Sequence, residues 1–266
     1  ELSRSGVITL TLIPPDQNGR IQAQDVERAI TSRTRLVVMT HMSNVLGMAQ
    51  DVAAVGAVCR RRRLLFLVDA AQTAGHMPLC PRAWGCTMLA LPGHKGLLGP
   101  QGTGLLLCGG EAAPLLFGGT GSESLRRDMP GLLPERLEPG TLNVPGAAGL
   151  DAGMRHVLRR QEVIAQAEHR QAERCARGLA ALGMRVFSGA HQAGTVSFVP
   201  EADCERAAEL LARRGIALRA GLHCAPLAHE SAGTLETGTV RVSFGPDAAD
   251  WQTDALLAAA ARGFAG

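Results

Sequence analysis

Two side chains within residues 65–104 have the types and places needed for carbonyl–amine chemistry. The run LFLVD ends in Asp69, with Gln72 three residues on, and the run LALP ends in Pro92, followed by Gly93, His94, Lys95 and a glycine-rich segment. Open α/β sheets bind ligands outside the carboxyl ends of their strands. An acid at the end of one strand and a lysine just past another therefore suit one site. A lysine amine forms a Schiff base with an aldehyde. Pyridoxal phosphate needs that amine and a carboxylate against its pyridinium nitrogen, and Asp69 and Lys95 could supply the two. For Asp69 a helix N-cap is the alternative. Gln72 lies one helical turn beyond Asp69 and reaches the same site. His41 and Asn44 follow the run Leu36–Thr40, at the edge of that site.

Further residues lie in the second half. Cys224 sits in RAGLHCAP, near Arg219 and His223. Cationic neighbours favour the thiolate, the reactive form of cysteine. Arg241 lies in an apolar strand pattern at 239–244, and its planar fork suits a carboxylate. A structural salt bridge is the alternative, which requires an acidic partner. His41 reads as a packed or capping histidine. Cys59, Cys108 and Cys175 read as inert thiols, and Cys80, Cys86 and Cys204 carry no assigned role.

The elements that position these residues follow from periodicity. Residues 7–12 alternate β-branched and apolar side chains and predict a strand, followed by a turn at Pro14, Pro15 and Asn18-Gly19. Residues 23–30 have helical spacing, and Asp51 caps a helix through about Arg61. Residues 36–40, 64–68, 87–91 and 104–108 predict strands. Strands alternating with helices imply an α/β fold, a mostly parallel sheet with flanking helices and room for an antiparallel edge. Residues 109–145 are Gly- and Pro-rich and predict a long functional or mobile loop. Residues 147–182 predict a long helix, broken once. Strands at 184–188, 195–199, 216–219 and 239–244, with helices at 203–214 and 251–261, predict a small α+β domain. The division is a partial large domain over 1–150, then the linking helix and small domain over 151–266.

Composition excludes several classes. The 266 residues allow ample core. With 46% apolar and 19% charged residues, the chain is globular and not disordered. A net charge of +3 is too mild to imply nucleic acid, and the basic run 60–63 reads as a solvated helix end. The absence of tyrosine argues against base-stacking platforms. Seven scattered cysteines without a CxxC pair argue against a disulfide framework or a zinc ribbon, call for no metal, and fit a reducing cytoplasm. No apolar stretch is long enough to span a membrane. The start, ELSRSGVITLTLIP, has no signal pattern and no initiator methionine, and reads as a fragment or a chain with a missing front.

The segments HMSNVLG (41–47), DAAQTAGH (69–76) and GHKGLLGPQGTG (93–104) resemble those of class V aminotransferases, of pyridoxal-phosphate fold type I. GTLNVPG (140–146), RAGLHCAP (219–226) and TGTVRVSF (237–244) resemble the cysteine desulfurase branch. The motifs keep the family's order and spacing along almost the whole chain, which is far more specific than any one of them. The resemblance implies pyridoxal 5'-phosphate on Lys95, with Asp69 at the ring nitrogen, Gln72 at the phenolic oxygen and His94 at the phosphate. It implies that Asn44 touches cofactor and substrate carboxylate, that Arg241, assisted by Arg219, clamps that carboxylate, and that Cys224 takes the sulfur as a persulfide. Thr141 resembles the residue that reaches the partner subunit's phosphate, which implies a homodimer; a turn threonine is the alternative.

The implied reaction takes L-cysteine to L-alanine and passes sulfur to an acceptor protein. Selenocysteine lyase, or another class V lyase or transaminase, is the rival enzyme reading. A catalytically silent truncated homologue is the third. Pro92 departs from the pattern: relatives carry a Ser or Thr there whose hydroxyl bonds the phosphate, and proline has neither hydroxyl nor N–H. The family's portion before this segment carries the helix N-terminus that holds the phosphate and the ring that stacks on the cofactor. Weak cofactor binding and poor turnover are therefore expected of the chain alone.

Overall fold

The computed structural model describes residues 1–16, 18–121, 123–189 and 191–264. The first sheet has the order β1 (Leu36–Thr40), β2 (Leu65–Asp69), β3 (Met88–Pro92), β4 (Gly104–Cys108). β1, β2 and β3 are parallel and β4 is antiparallel to β3. Their register brings Thr40, Asp69 and Ala90 side by side at the carboxyl edge. The crossover helix α2 (Val52–Arg62) starts where the Asp51 side chain accepts from Ala54 N. With α1 (Ala23–Ala29) and the short α3 (Pro81–Trp84) it covers one sheet face, over a core of Val26, Val55, Cys59, Phe66, Val68 and Leu89. The opposite face keeps apolar side chains exposed, Val38 at 62% and Leu65 at 52%.

Residues 7–12 do not form the expected strand; they run as bends and irregular chain with Val7, Ile8, Leu10 and Leu12 exposed. A strand needs a hydrogen-bonded neighbour, and among the described residues β1 pairs only with β2. The alternation had no ladder to join.

α4 (Val144–Ala181) is one unbroken helix of 38 residues, where a break was expected. Asn143 caps it, its side chain accepting from Gly146 N. No proline follows the first turn, and Leu150, Val157, Ile164, Ala172, Cys175 and Leu179 bury one continuous stripe. Gly153 does not interrupt it: a Cβ there would lie 2.4 Å from Leu97 O, so the helix backbone rests on the loop that follows Lys95. Residue 150 lies within the early turns of this helix.

The C-terminal half of α4 packs on a second sheet, of order β5 (Arg185–Phe187), β6 (Thr195–Val199), β8 (Thr239–Ser243), β7 (Arg219–Gly221), all antiparallel. α5 (Cys204–Arg213), capped by Asp203, and α7 (Asp250–Ala261) complete its core with Phe198, Leu211, Val240 and Leu256. The strand expected at 216–219 begins only at Arg219, where pairing with β8 starts. Ile216 and Leu218 precede the ladder and pack against the core. A short helix, α6 (Pro226–Ala232), follows the Cys224 turn. Among the described residues no helix is long and apolar enough to cross a membrane.

Candidate active site

A cavity of about 550 Å³, within the size range of small-molecule and cofactor sites, is lined by turns of the first sheet, by α4 and by residues of the second sheet. Turns after β1, β2 and β3 contribute Asn44, Gln72 and Lys95; β7 and β8 contribute Arg219 and Arg241, and the turn after β7 contributes Cys224. Six of the nine residues singled out in the sequence therefore line one space. Asp69, His94 and Thr141 are not among its lining residues. Asp69 ends β2, half-buried, and its Oδ1 accepts from Ala71 N at 2.8 Å, so one oxygen serves as a local turn cap. His94 is exposed beside Lys95, and Thr141 is exposed ahead of α4.

Lys95 is the only lysine in the chain. Its turn is closed by Leu98 N donating to Lys95 O at 2.9 Å and Gly99 N donating to Gly93 O at 2.8 Å. The side chain is exposed and lines the cavity.

The β7–β8 register sets Arg219 directly opposite Arg241. Neither is in an ion pair with a carboxylate among the described residues, so the structural salt bridge considered for Arg241 is absent. Arg241 Nη1 donates to Asn44 O at 3.4 Å, while its buried Nε has no partner. Burial, then the Arg219 charge, lowers the Arg241 pKa from its ordinary value. Two facing guanidiniums with unused donors form a receptor for a planar anion such as a carboxylate.

Cys224 is exposed and occupies a turn in which His223 (φ 50°) and Cys224 (φ 58°) are both left-handed. Such conformations cost about 1–3 kcal/mol each in non-glycine residues and persist where their surroundings hold them. Asn44 Nδ2 donates to His223 O at 2.7 Å, and His223 Nε2 lies 3.1 Å from both Thr239 O and Thr239 Oγ1. Burial, then the Arg241 charge, lowers the His223 pKa to about 4, which leaves the ring neutral near pH 7. Cys59 and Cys175 are buried, their thiols pushed up to about 11 and about 12. His41 is a packed histidine: Nδ1 lies 2.9 Å from Thr73 Oγ1, and the ring meets Trp84 edge-on with centroids 4.7 Å apart.

One pair was missed. His76 and Glu168 also line the cavity, with Nδ1 and Oε2 2.8 Å apart. His76 stands in the DAAQTAGH segment, where its neighbour Gln72 drew the attention. Glu168 lies mid-helix on α4 and no local pattern marks it.

The amine of Lys95 and the amide of Gln72 line the cavity and suit the reactive end of pyridoxal phosphate, while Asp69 ends β2 outside that lining. At the end of β3, Pro92 gives the phosphate neither hydroxyl nor N–H.

Comparison with known proteins agrees with this geometry. A family model, aminotransferase class-V, matches residues 1–256. The chain is 36% identical over 254 residues to a protein named probable cysteine desulfurase from Methanothermobacter thermautotrophicus, covering 89% of this chain and 62% of that protein. It is 33% identical over 258 residues to one of the same name from Pyrococcus abyssi, covering 91% and 63%. The apo structure of cysteine desulfurase from Thermococcus onnurineus superposes with a TM-score of 0.89 at 33% identity, over 98% of this chain and 67% of that one. The chain thus spans about six-tenths of the length of the first curated relatives it matches. The family-model match over residues 1–256, with relatives at 33–36% identity, places this chain in the class-V aminotransferase family, with the fold of the cysteine desulfurases.

Proposed function

We propose that this chain carries the catalytic cavity of a pyridoxal-phosphate-dependent cysteine desulfurase, which takes L-cysteine to L-alanine. The observation that carries the reading is the convergence of the chain's only lysine, an exposed cysteine and two arginines without acidic partners among the described residues on one cavity. Pyridoxal phosphate, when bound, supplies an aldehyde for the amine and a ring that accepts electrons. Lys95 Nζ would be the amine that holds it, and the same atom would take and return the substrate's α-proton. Asp69 would hold the ring nitrogen, Gln72 the phenolic oxygen and His94 the phosphate edge. Thr141 reaches the partner subunit's phosphate in a homodimer. Arg241 and Arg219 grip the substrate carboxylate, with Asn44 beside them.

Cys224 Sγ, as thiolate, gives an electron pair to the substrate sulfur. The S–S bond forms as the substrate's Cβ–S bond breaks; that pair stays with carbon, which takes a proton and becomes the alanine methyl. The persulfide on Cys224 then passes its outer sulfur to an acceptor protein, in the cytoplasm. The test is the full-length protein with pyridoxal phosphate and L-cysteine, read as alanine formed and as persulfide on Cys224 by mass spectrometry. Cys224→Ala is expected to lose both persulfide and sulfide release; full sulfide release from that variant overturns the role of Cys224.

A further inference from the structure

Glu168 is fully buried on α4, yet among the described residues only its Oε2 has a partner, His76 Nδ1 at 2.8 Å; Oε1 is buried with none there. A buried carboxylate with an unmet oxygen is costly, which makes a purely architectural role a poor explanation for keeping it. The rest of the arrangement leads to Lys95. A Cβ on Gly96, the residue after Lys95, would lie 2.5 Å from His76 Nε2 and 2.3 Å from Ala74 O. A Cβ on Gly75, itself at φ +87°, would lie 2.0 Å from Gly96 O. The turn after β2 and the turn after β3 therefore touch backbone to backbone, through two glycines, with the imidazole edge closing the gap. α4 braces the same turn from behind, through Gly153 against Leu97 O.

We propose that His76 and Glu168 are a positioning pair for Lys95. The carboxylate holds the imidazole with Nδ1–H toward α4. The opposite ring edge seats Gly96, and the seated turn aims the Lys95 amine into the cavity. The use made of that amine rests on the function proposed above; the positioning does not.

In the chain of residues 1–266 Lys95 is the only lysine, so reductive methylation of that chain with ¹³C-formaldehyde gives one side-chain resonance besides that of its amino terminus. Its shift and linewidth report how firmly the amine is held, without any cofactor. Glu168→Gln keeps the shape and an acceptor, and His76→Asn keeps a donor near Nδ1 but removes the distal edge. Both are compared with the wild type after thermal melts establish that they are folded. The expected result is a Lys95 signal that narrows and moves toward that of free dimethyl-lysine in each variant. On unmethylated protein, formation of the pyridoxal phosphate imine should slow by about tenfold or more, since displaced reacting groups lose rate steeply. Gly96→Ala should do the same by displacing the imidazole. An unchanged resonance in both folded variants overturns the proposal. If no imine forms even in the full-length protein, the cofactor reading falls, and the resonance alone still decides the role of the pair.

Discussion

The facing arginines predict a variant that is more stable and less able to bind. In Arg241→Met the stem of the side chain keeps its packing and the charge is lost. Like charges opposite one another across strands cost about 0.2–1 kcal/mol, and Arg219 stands opposite Arg241. The buried Nε without a partner adds about 1–3 kcal/mol. Against this stands the long 3.4 Å bond to Asn44 O, worth about 0.5 kcal/mol. The balance favours the variant by about 0.7–3.5 kcal/mol, which raises the melting temperature by about 2–4 °C for each kcal/mol. The same change removes a charge-assisted bond to a carboxylate ligand, worth about 1.5–3 kcal/mol, or about 10–150-fold in affinity. Urea unfolding with and without saturating L-alanine reads both effects. The wild type should gain from the ligand and the variant should not. A variant less stable than the wild type by more than about 1 kcal/mol, or one that gains equally from L-alanine, refutes the view of these arginines as an anion receptor.

Other consequences concern the Cys224 turn and α4. Asn44→Ala removes the 2.7 Å bond to His223 O and should speed alkylation of Cys224 by iodoacetamide several-fold, with exposed Cys80 unchanged as the internal reference. His223, at about 4 in the folded chain against an ordinary 6.5, is a histidine held neutral. The unfolded chain then binds the extra proton first, so the stability from this group is complete above pH 6.5 and falls away as pH drops toward 4. His41 and His229 are lowered by burial and act in the same direction. Melting curves should show this decline, and His223→Gln should flatten it. Gly153→Ala would stabilise a free helix by about 1 kcal/mol. Here its Cβ meets Leu97 O at 2.4 Å, so a loss of about 1–3 kcal/mol is expected instead, read from the urea midpoint.

Much of the fold was legible because local chemistry and burial agree. Asp51 caps the helix expected to follow it, a helix forms within the expected 203–214, and Gly104–Cys108 and Thr195–Val199 are the strands expected. Residues 7–12 misled because alternation encodes only a willingness to pair, not the presence of a partner. The proline-opened α3 and α6 were too short, at four and seven residues, for a helical period to show. At the site, Asn44, Gln72, Lys95, Arg219, Cys224 and Arg241 stood out mainly because the segments around them resemble the family's motifs, and the structure brings these six to one cavity. Glu168 escaped notice because its partner, His76, is 92 residues away in the chain. Only the packing of α4 against the turn after β2 brings them together.

The most direct test of the central claim is to incubate the protein with pyridoxal 5'-phosphate, reduce with borohydride and map the product. The account predicts a pyridoxyl group on Lys95, at up to one per chain, which Lys95→Arg abolishes. Labelling confined to the amino terminus, or unchanged in Lys95→Arg, would contradict it.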